Sequence, residues 1–318
     1  MTKRVNWVDS ARGIAIILVV YGHALEGTFY SVGMNQQSYD WQHGIIYAFH
    51  MPLFFLISGF FIASWLKRQP AIALKQKAVA LLIPYVIWSI IQGTFMILMK
   101  SKSVVSLGWK ALLYIPIRPL DQFWFVYALF FAFILYYFIF NYLGKSITIS
   151  LFVSLFIVIV LSFIHIWQFS NIGLALFFIA LGAFIHERIG LNYFSKSSVG
   201  IISTLLFLSI FSIISILNYS LTLNIIIKLI LAVLGSVSIL VFSNKFSTKF
   251  LTVLGKLSLE IYVAHWIFLA GSRFILIHFG LSQPYLLIAV GTICGIIFPI
   301  ILYQLLLNLH ISKYVFGR

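Results

Sequence analysis

About ten apolar runs follow one another along this chain, each close to the ~20 residues that carry a helix across a bilayer. They fall at about 8–27, 44–65, 78–98, 122–142, 147–164, 170–187, 199–217, 222–242, 256–276 and 284–308. Inside a bilayer no water can hydrogen-bond the peptide groups, so a segment of this length has to satisfy its own backbone as a helix. Composition points the same way: charged residues make up 8% of the chain, where a soluble domain carries roughly a quarter. The fold class is therefore an all-α polytopic membrane protein of about ten transmembrane helices. No polar block is long enough to fold separately, so residues 1–318 read as a single membrane domain.

The net charge of +15 is spread in a way that gives the helices a direction. Excess Lys and Arg mark cytoplasmic loops in such proteins. They do not here suggest a nucleic-acid partner. With the N-terminus inside, the inner segments hold Lys3, Arg4, Lys67, Arg68, Lys75, Lys77, Lys145, Arg188, Lys196, Lys245, Lys249, Lys256, Lys313 and Arg318. The outer loops at 28–43, 165–169, 218–221 and 277–283 hold none. Only the loop with Lys100, Lys102, Lys110 and Arg118 breaks the pattern, and the count predicts both termini on the cytoplasmic side. Lys3 and Arg4 ahead of an apolar run resemble the start of a signal peptide. Asp9 and Arg12 interrupt that run, however, and no small-residue cleavage site follows His23, so the segment reads as the first membrane helix. The single cysteine, Cys294, allows no intrachain disulfide.

The exceptional loop, 103–120 (SVVSLGWKALLYIPIRPL), mixes apolar, aromatic and basic residues too densely for a free loop. Two readings fit: a re-entrant or interfacial element roofing a cavity, or a segment packed on the headgroups. Trp7, Trp41, Trp65, Trp124 and Trp167 near span ends suit interfacial belts. Gly291 and Gly295 form a GxxxG, a pattern of close helix packing.

The first run, WVDSARGIAIILVVYGHALE, carries Asp9, Arg12, His23 and Glu26. At about 100° per residue, the interval from Arg12 to His23 closes within roughly 20° of three full turns. Both therefore lie on one face, about 16 Å apart at ~1.5 Å per residue. Asp9 and Glu26, each three residues further out, extend that stripe. Titratable groups aligned on a membrane helix are costly and usually face a protein interior or a wet cavity. An arginine one turn inside a helix end also snorkels readily, and a lone histidine is often structural. The alignment of four such groups favours function.

Other helices carry fewer signals. His43 and His50 fall nearly on one face of the second helix, where Pro52 implies a kink and Ser58-Gly59 permits close backbone approach. Asp121 opens the fourth helix beside an aromatic cluster, as a capping carboxylate would. Glu260 and His265 in the ninth helix are about 140° apart and share no face. Arg273 sits where snorkelling is the default. No metal site is expected, and no phosphate-loop, dinucleotide or nucleophile-elbow motif occurs.

Taken together and in order, RGIAIILVVYGH, HMPLFFLISGFF, LLIPYVIW, FWFVYALFF and SLEIYVAH resemble membrane-bound acyltransferase family 3. The likeness runs from Asp9 to about His265 and is greatest to the branch of fucose O-acetylases and surface-polysaccharide O-acetyltransferases. It implies a multi-pass protein of the bacterial inner membrane, surrounded by membrane lipid. Acetyl would pass from cytosolic acetyl-CoA to a sugar hydroxyl of a surface polysaccharide or its lipid-linked oligosaccharide precursor. Acetyl-CoA is then a substrate, and no cofactor is held permanently. The family's arginine and histidine match Arg12 and His23. His23 would act as general base, or alternatively as a transient acyl carrier, with His50 a secondary candidate. Arg12 would guide the CoA, Asp9 would orient Arg12, and Glu26 would orient His23 or the sugar. Where the family often has two arginines before the third helix, this chain has Lys77 and Ala80. Lys75 or Lys77 would supply the charge, without arginine's bidentate fork. A proton-coupled exporter of glycan or lipid would use the same buried groups, although it usually shows the internal repeat that is missing here.

Overall fold

The computed structural model describes residues 5–99, 108–164, 166–217 and 224–317. All regular structure among them is helical. The first long helix, α1 (Asn6–Val32), is followed by α2 (Gln36–Phe60), the short α3 (Ala63–Leu66) and α4 (Pro70–Lys77). A π-helical turn (Ala78–Leu82) carries α4 into α5 (Ile83–Leu98), and α6 (Lys110–Leu113) lies in the next connection. A 3-10 turn (Asp121–Phe123) opens α7 (Trp124–Tyr142), followed by α8 (Ile147–Phe163) and α9 (Trp167–Phe184). A second π-helical turn (Ile185–Ile189) and a 3-10 turn (Leu191–Ser195) lead to α10 (Ser197–Ile216), α11 (Ile225–Lys245) and α12 (Lys249–Lys256). The chain continues through α13 (Ser258–His278), α14 (Pro284–Asn308) and α15 (Ser312–Phe316).

Among the described residues nine helices are long and apolar enough to cross a membrane, and α8 is a shorter apolar helix of 17 residues. That agrees with the run pattern, with differences at the ends. The second helix opens at Gln36, well before its apolar run, because the Asn35 side chain accepts the Ser38 amide at 2.9 Å and starts the helix in polar sequence. Hydropathy cannot see such a start. Trp65 is not an interfacial anchor: it is buried, donates to the Ala73 carbonyl at 3.0 Å and packs on Phe133 and Tyr137. Trp41 and Trp167 are exposed, as belts require. Residues 103–107 of the anomalous loop lie outside the described residues, as do Lys3, Arg4, Lys100, Lys102 and Arg318. The rest of that loop exposes Trp109, Leu113, Tyr114 and Ile117.

By packing the chain falls into two compact units. The first holds residues up to Ala15, Tyr47–Lys77 and Ala128–Lys256. Small residues let backbones meet there. A side chain at Gly59 would strike the carbonyl oxygen of Ile179, and one at Gly182 would strike that of Leu56, so α2 and α9 cross at backbone contact. The Ser58-Gly59 expectation is met at this crossing. The start of α1 is fixed in the same way, since Gly255 of α12 admits no side chain beside the Asp9 carbonyl. Ser10 adds hydroxyl contacts to Ser247 at 2.7 Å and Thr252 at 3.0 Å.

The second unit comprises Ile16–Ile46, Ala78–Tyr127 and Leu257–Arg318. Here α13 and α14 form an antiparallel pair, and a side chain at Gly295 would come within 2.7 Å of Val20 in α1. The GxxxG is thus a packing device. The α15 segment docks on α5: Trp88 donates to the Val315 carbonyl at 3.2 Å and packs on Phe316.

Candidate functional site

Helix α1 passes through both units and gives each a polar pair spaced three residues apart. In the first unit, Arg12 donates to Asp9 at 3.3 Å. A lone charge at mid-membrane costs about 2.5–3.5 kcal/mol on insertion scales, so a carboxylate and guanidinium in this setting have strong reason to pair. Asp9 is 2% exposed and Arg12 28%, which leaves the cation as the accessible member. Arg12 and Arg68 both lie within electrostatic reach of the Lys77 ammonium. That ammonium rests 3.4 Å from the centre of the Phe133 ring and 5.4 Å from that of Trp65, a cation–π arrangement. Lys75, two residues earlier, is exposed. His50 is buried in this unit, edge-on to Tyr47 with ring centres 4.8 Å apart.

In the second unit, His23 Nδ1 lies 3.6 Å from a Glu26 oxygen. The His23 ring also packs against His265 of α13, with centres 5.2 Å apart. His265 is wholly buried, and its Nδ1 sits 2.6 Å from the Tyr262 carbonyl and 3.2 Å from that of Ile261. Carbonyl oxygens only accept, so Nδ1 carries the hydrogen and Nε2 presents a lone pair. That Nε2 has no hydrogen-bond partner among the described residues. A buried acceptor left without a donor is costly, roughly 1–3 kcal/mol, and such exceptions concentrate where chemistry happens.

The turn before α7 adds a third element to this group. Asp121 has φ +43°, in the left-handed region, at a cost of roughly 1–2 kcal/mol for an L-residue. Its carboxyl lies within electrostatic reach of both His23 and Glu26, and Gln92 Nε2 approaches it at 3.4 Å. Gln92 and Gln122, both buried, exchange amide hydrogen bonds of 3.0 and 2.6 Å. Tyr262 donates its hydroxyl to the Gln122 carbonyl. One connected set of contacts therefore runs from the strained turn through Tyr262 and His265 to His23. His43 of α2 lies near this group, tilted on Tyr39 at 5.2 Å and within electrostatic reach of Glu26 and His23.

Of the residues read from the sequence, Asp9 and Arg12 pair, as do His23 and Glu26. His43 and His50, expected on one helix face, fall in different compact units. Asp121 is not the cap: Leu120 holds that position and no side-chain cap hydrogen bond forms, while His265 carries the neighbouring imidazole that reading α13 by itself could not reveal. The sequence signal for His265 was its place in SLEIYVAH, and for Asp121 its place ahead of FWFVYALFF.

Long apolar helices, with a carboxylate–guanidinium pair in one unit and imidazole, carboxyl and amide groups clustered in the other, define a polytopic membrane protein. A family profile described as an acyltransferase domain matches residues 5–304, nearly the whole chain. The chain belongs to acyltransferase family 3. Among curated proteins it is similar to the nodulation protein NolL of Mesorhizobium japonicum, 33% identical over 132 residues, which is 40% of this chain and 34% of that protein. It is similar also to NolL of Sinorhizobium fredii, 34% identical over 143 residues, covering 44% of this chain and 38% of the relative. The matched region thus spans little more than a third of each relative's length. No solved structure matches.

Proposed function

We propose that the protein is an O-acetyltransferase of a bacterial inner membrane. It moves acetyl from cytosolic acetyl-CoA to a sugar hydroxyl of a surface polysaccharide or its lipid-linked precursor. Family membership supports acyl transfer, and one observation carries the assignment of residues. His23 sits between a carboxylate partner and a second imidazole whose free lone pair is buried without a donor. A group that must take up a proton and then release it needs both kinds of neighbour.

In this reading His23 removes the proton of the sugar hydroxyl as its oxygen attacks the thioester carbonyl. The tetrahedral intermediate collapses, the C–S bond breaks, and His23 returns the proton to the departing CoA thiolate. Glu26 and the Nε2 of His265 stabilise the imidazolium while it exists, much as the carboxylate of a catalytic triad does. Asp121 adds negative charge near the same ring and is held by Gln92. Arg12, with both termini in the cytosol, steers the donor. The helical interval of about 16 Å separating it from His23 suits an extended pantetheine arm. Lys75 and Lys77 add positive charge on the donor side, and His50 is a secondary candidate.

The direct test is NMR of the surface glycan from cells with and without this protein. O-acetyl resonances should vanish on deletion and return on complementation. An unchanged acetyl content alongside altered glycan export would favour the transporter instead.

A further inference from the structure

The first unit contains a cavity of about 600 Å³ near the end of α2, walled by α7, the α7–α8 turn and the π-helical end of α9. Its rim carries Lys67, Arg68 and Lys145, against a single carboxylate, Glu187. Glu187 already faces His186 at 3.5 Å. Neither Lys67 nor Lys145 has a side-chain ion pair among the described residues. Among the described residues the surplus of positive charge at this cavity has no ion-pair partner.

Arg68 is held in place, and the backbone fixes where the Lys145 side chain starts. The Tyr137 hydroxyl fixes the Arg68 carbonyl at 2.7 Å, and the Arg68 guanidinium donates to Gln76. Lys145 has φ +55°, directly after Gly144 at +70°. A lysine kept in the left-handed region, where glycine or asparagine would sit at less cost, signals a side chain that is wanted at that spot. Arg68 links the cavity inward, since it and Arg12 both act on the Lys77 ammonium. Lys77 itself is laid against Phe133, and the Cα of Ala80 lies 3.3 Å from where a side chain on Gly317 would begin. Neither position offers a free cation fork.

We propose that this cavity receives the phosphate-bearing nucleotide end of the acyl donor, with Lys67 and Lys145 as its phosphate ligands. The inference rests on the acyl-CoA reading above. The volume lies within the ~300–1,000 Å³ usual for small-molecule sites. A ligand with several phosphates complements clustered cations better than the single charge of a sugar carboxylate. Compact ammonium groups on flexible stems suit phosphate oxygens arriving from different directions.

The test uses the full-length protein in phosphatidylcholine nanodiscs, with CoA, 3′-dephospho-CoA and 4′-phosphopantetheine as probes. Lys145→Asn is preferred to Lys145→Ala because asparagine tolerates the left-handed turn. It is combined with Lys67→Gln, and thermal unfolding confirms that each variant is folded. Each substitution should weaken CoA binding about tenfold, as expected for one lost charge-assisted contact. Binding of 4′-phosphopantetheine, which lacks the nucleotide, should stay as in the unaltered protein. The variants should also lose the preference for CoA over 3′-dephospho-CoA. Unaltered CoA affinity in folded variants would overturn the site while leaving acyl transfer standing. So would an effect confined to phosphatidylglycerol nanodiscs, which would make the cavity a lipid-headgroup site. If the unaltered protein binds no CoA at all, the acyl-CoA reading itself fails.

Discussion

The two polar pairs of α1 have the same spacing and nearly the same separation, 3.3 Å for Asp9–Arg12 and 3.6 Å for His23–Glu26, yet they are built in opposite senses. In the first pair the carboxylate is sealed at 2% exposure and the cation reaches out at 28%. In the second the imidazole lies inside at 15% and the carboxylate is the open member at 37%. A sealed acid with an always-charged partner makes a fixed positive post, since arginine does not lose its proton. An interior imidazole with an open acid makes a group that can gain and lose one. The surroundings follow suit. Lys77 and Arg68 give Arg12 basic neighbours within electrostatic reach of one another, whereas Asp121 and His265 lie beside His23. On the proposed function, the contrast separates holding an anionic donor from moving a proton.

The largest effect should come from removing the proposed general base. His23→Ala at normal protein level should lower acetyl transfer by about 10²–10⁴-fold, the usual contribution of a general base. Full activity would leave the second pair with no chemical role. Next comes Arg12→Lys, which keeps the charge and loses the planar fork. It should reduce kcat/KM for acetyl-CoA roughly ten- to a hundredfold, and indifference would remove Arg12 from the donor path. His265→Ala should lower kcat about tenfold with KM for acetyl-CoA little changed, because in the proposed mechanism it supports the His23 imidazolium and not the donor. A change in KM with kcat intact would contradict that role.

How much of this was legible beforehand depends on whether the information was local. The spans were, because a bilayer demands ~20 apolar residues whatever their neighbours. The α1 stripe was too, since helical periodicity alone aligns Arg12 with His23. The early start of α2 was not, because a capping Asn35 leaves no trace in hydropathy. Trp65 looked like a belt residue because it stands at a span end, and only the fold of α3 and α4 over it shows that it is buried. His265 is the clearest case. Within α13 it shares no face with Glu260, and its meaning lies in a ring 242 positions away, at His23. A carboxylate at a helix start is a cap by default, and nothing in the sequence around Asp121 reveals its backbone strain.

A substitution that touches one pair through the backbone sharpens the comparison further. Gly255→Ala would drive a methyl into the Asp9 carbonyl oxygen, where no flexible side chain can yield. Overpacking of this kind costs about 1–3 kcal/mol. The apparent melting temperature in detergent should fall, and the residual folded protein should show a raised KM for acetyl-CoA with a nearly normal kcat. An equal loss in both parameters would mean that the two pairs do not act separately.

The smallest effect should belong to Lys75. It is exposed at the end of α4, two residues from the aromatic seat of Lys77. An exposed cation is screened by salt within about 8 Å at physiological ionic strength, and exposed pairs contribute roughly 0.2–1 kcal/mol. Lys75→Ala should therefore raise KM for acetyl-CoA by no more than about fivefold, and the difference should shrink as salt is added. A salt-independent loss larger than that would mean Lys75 folds down onto the donor when it binds. The boundary of the cationic region would then extend beyond Arg12, Lys77 and Arg68 to the whole of α4.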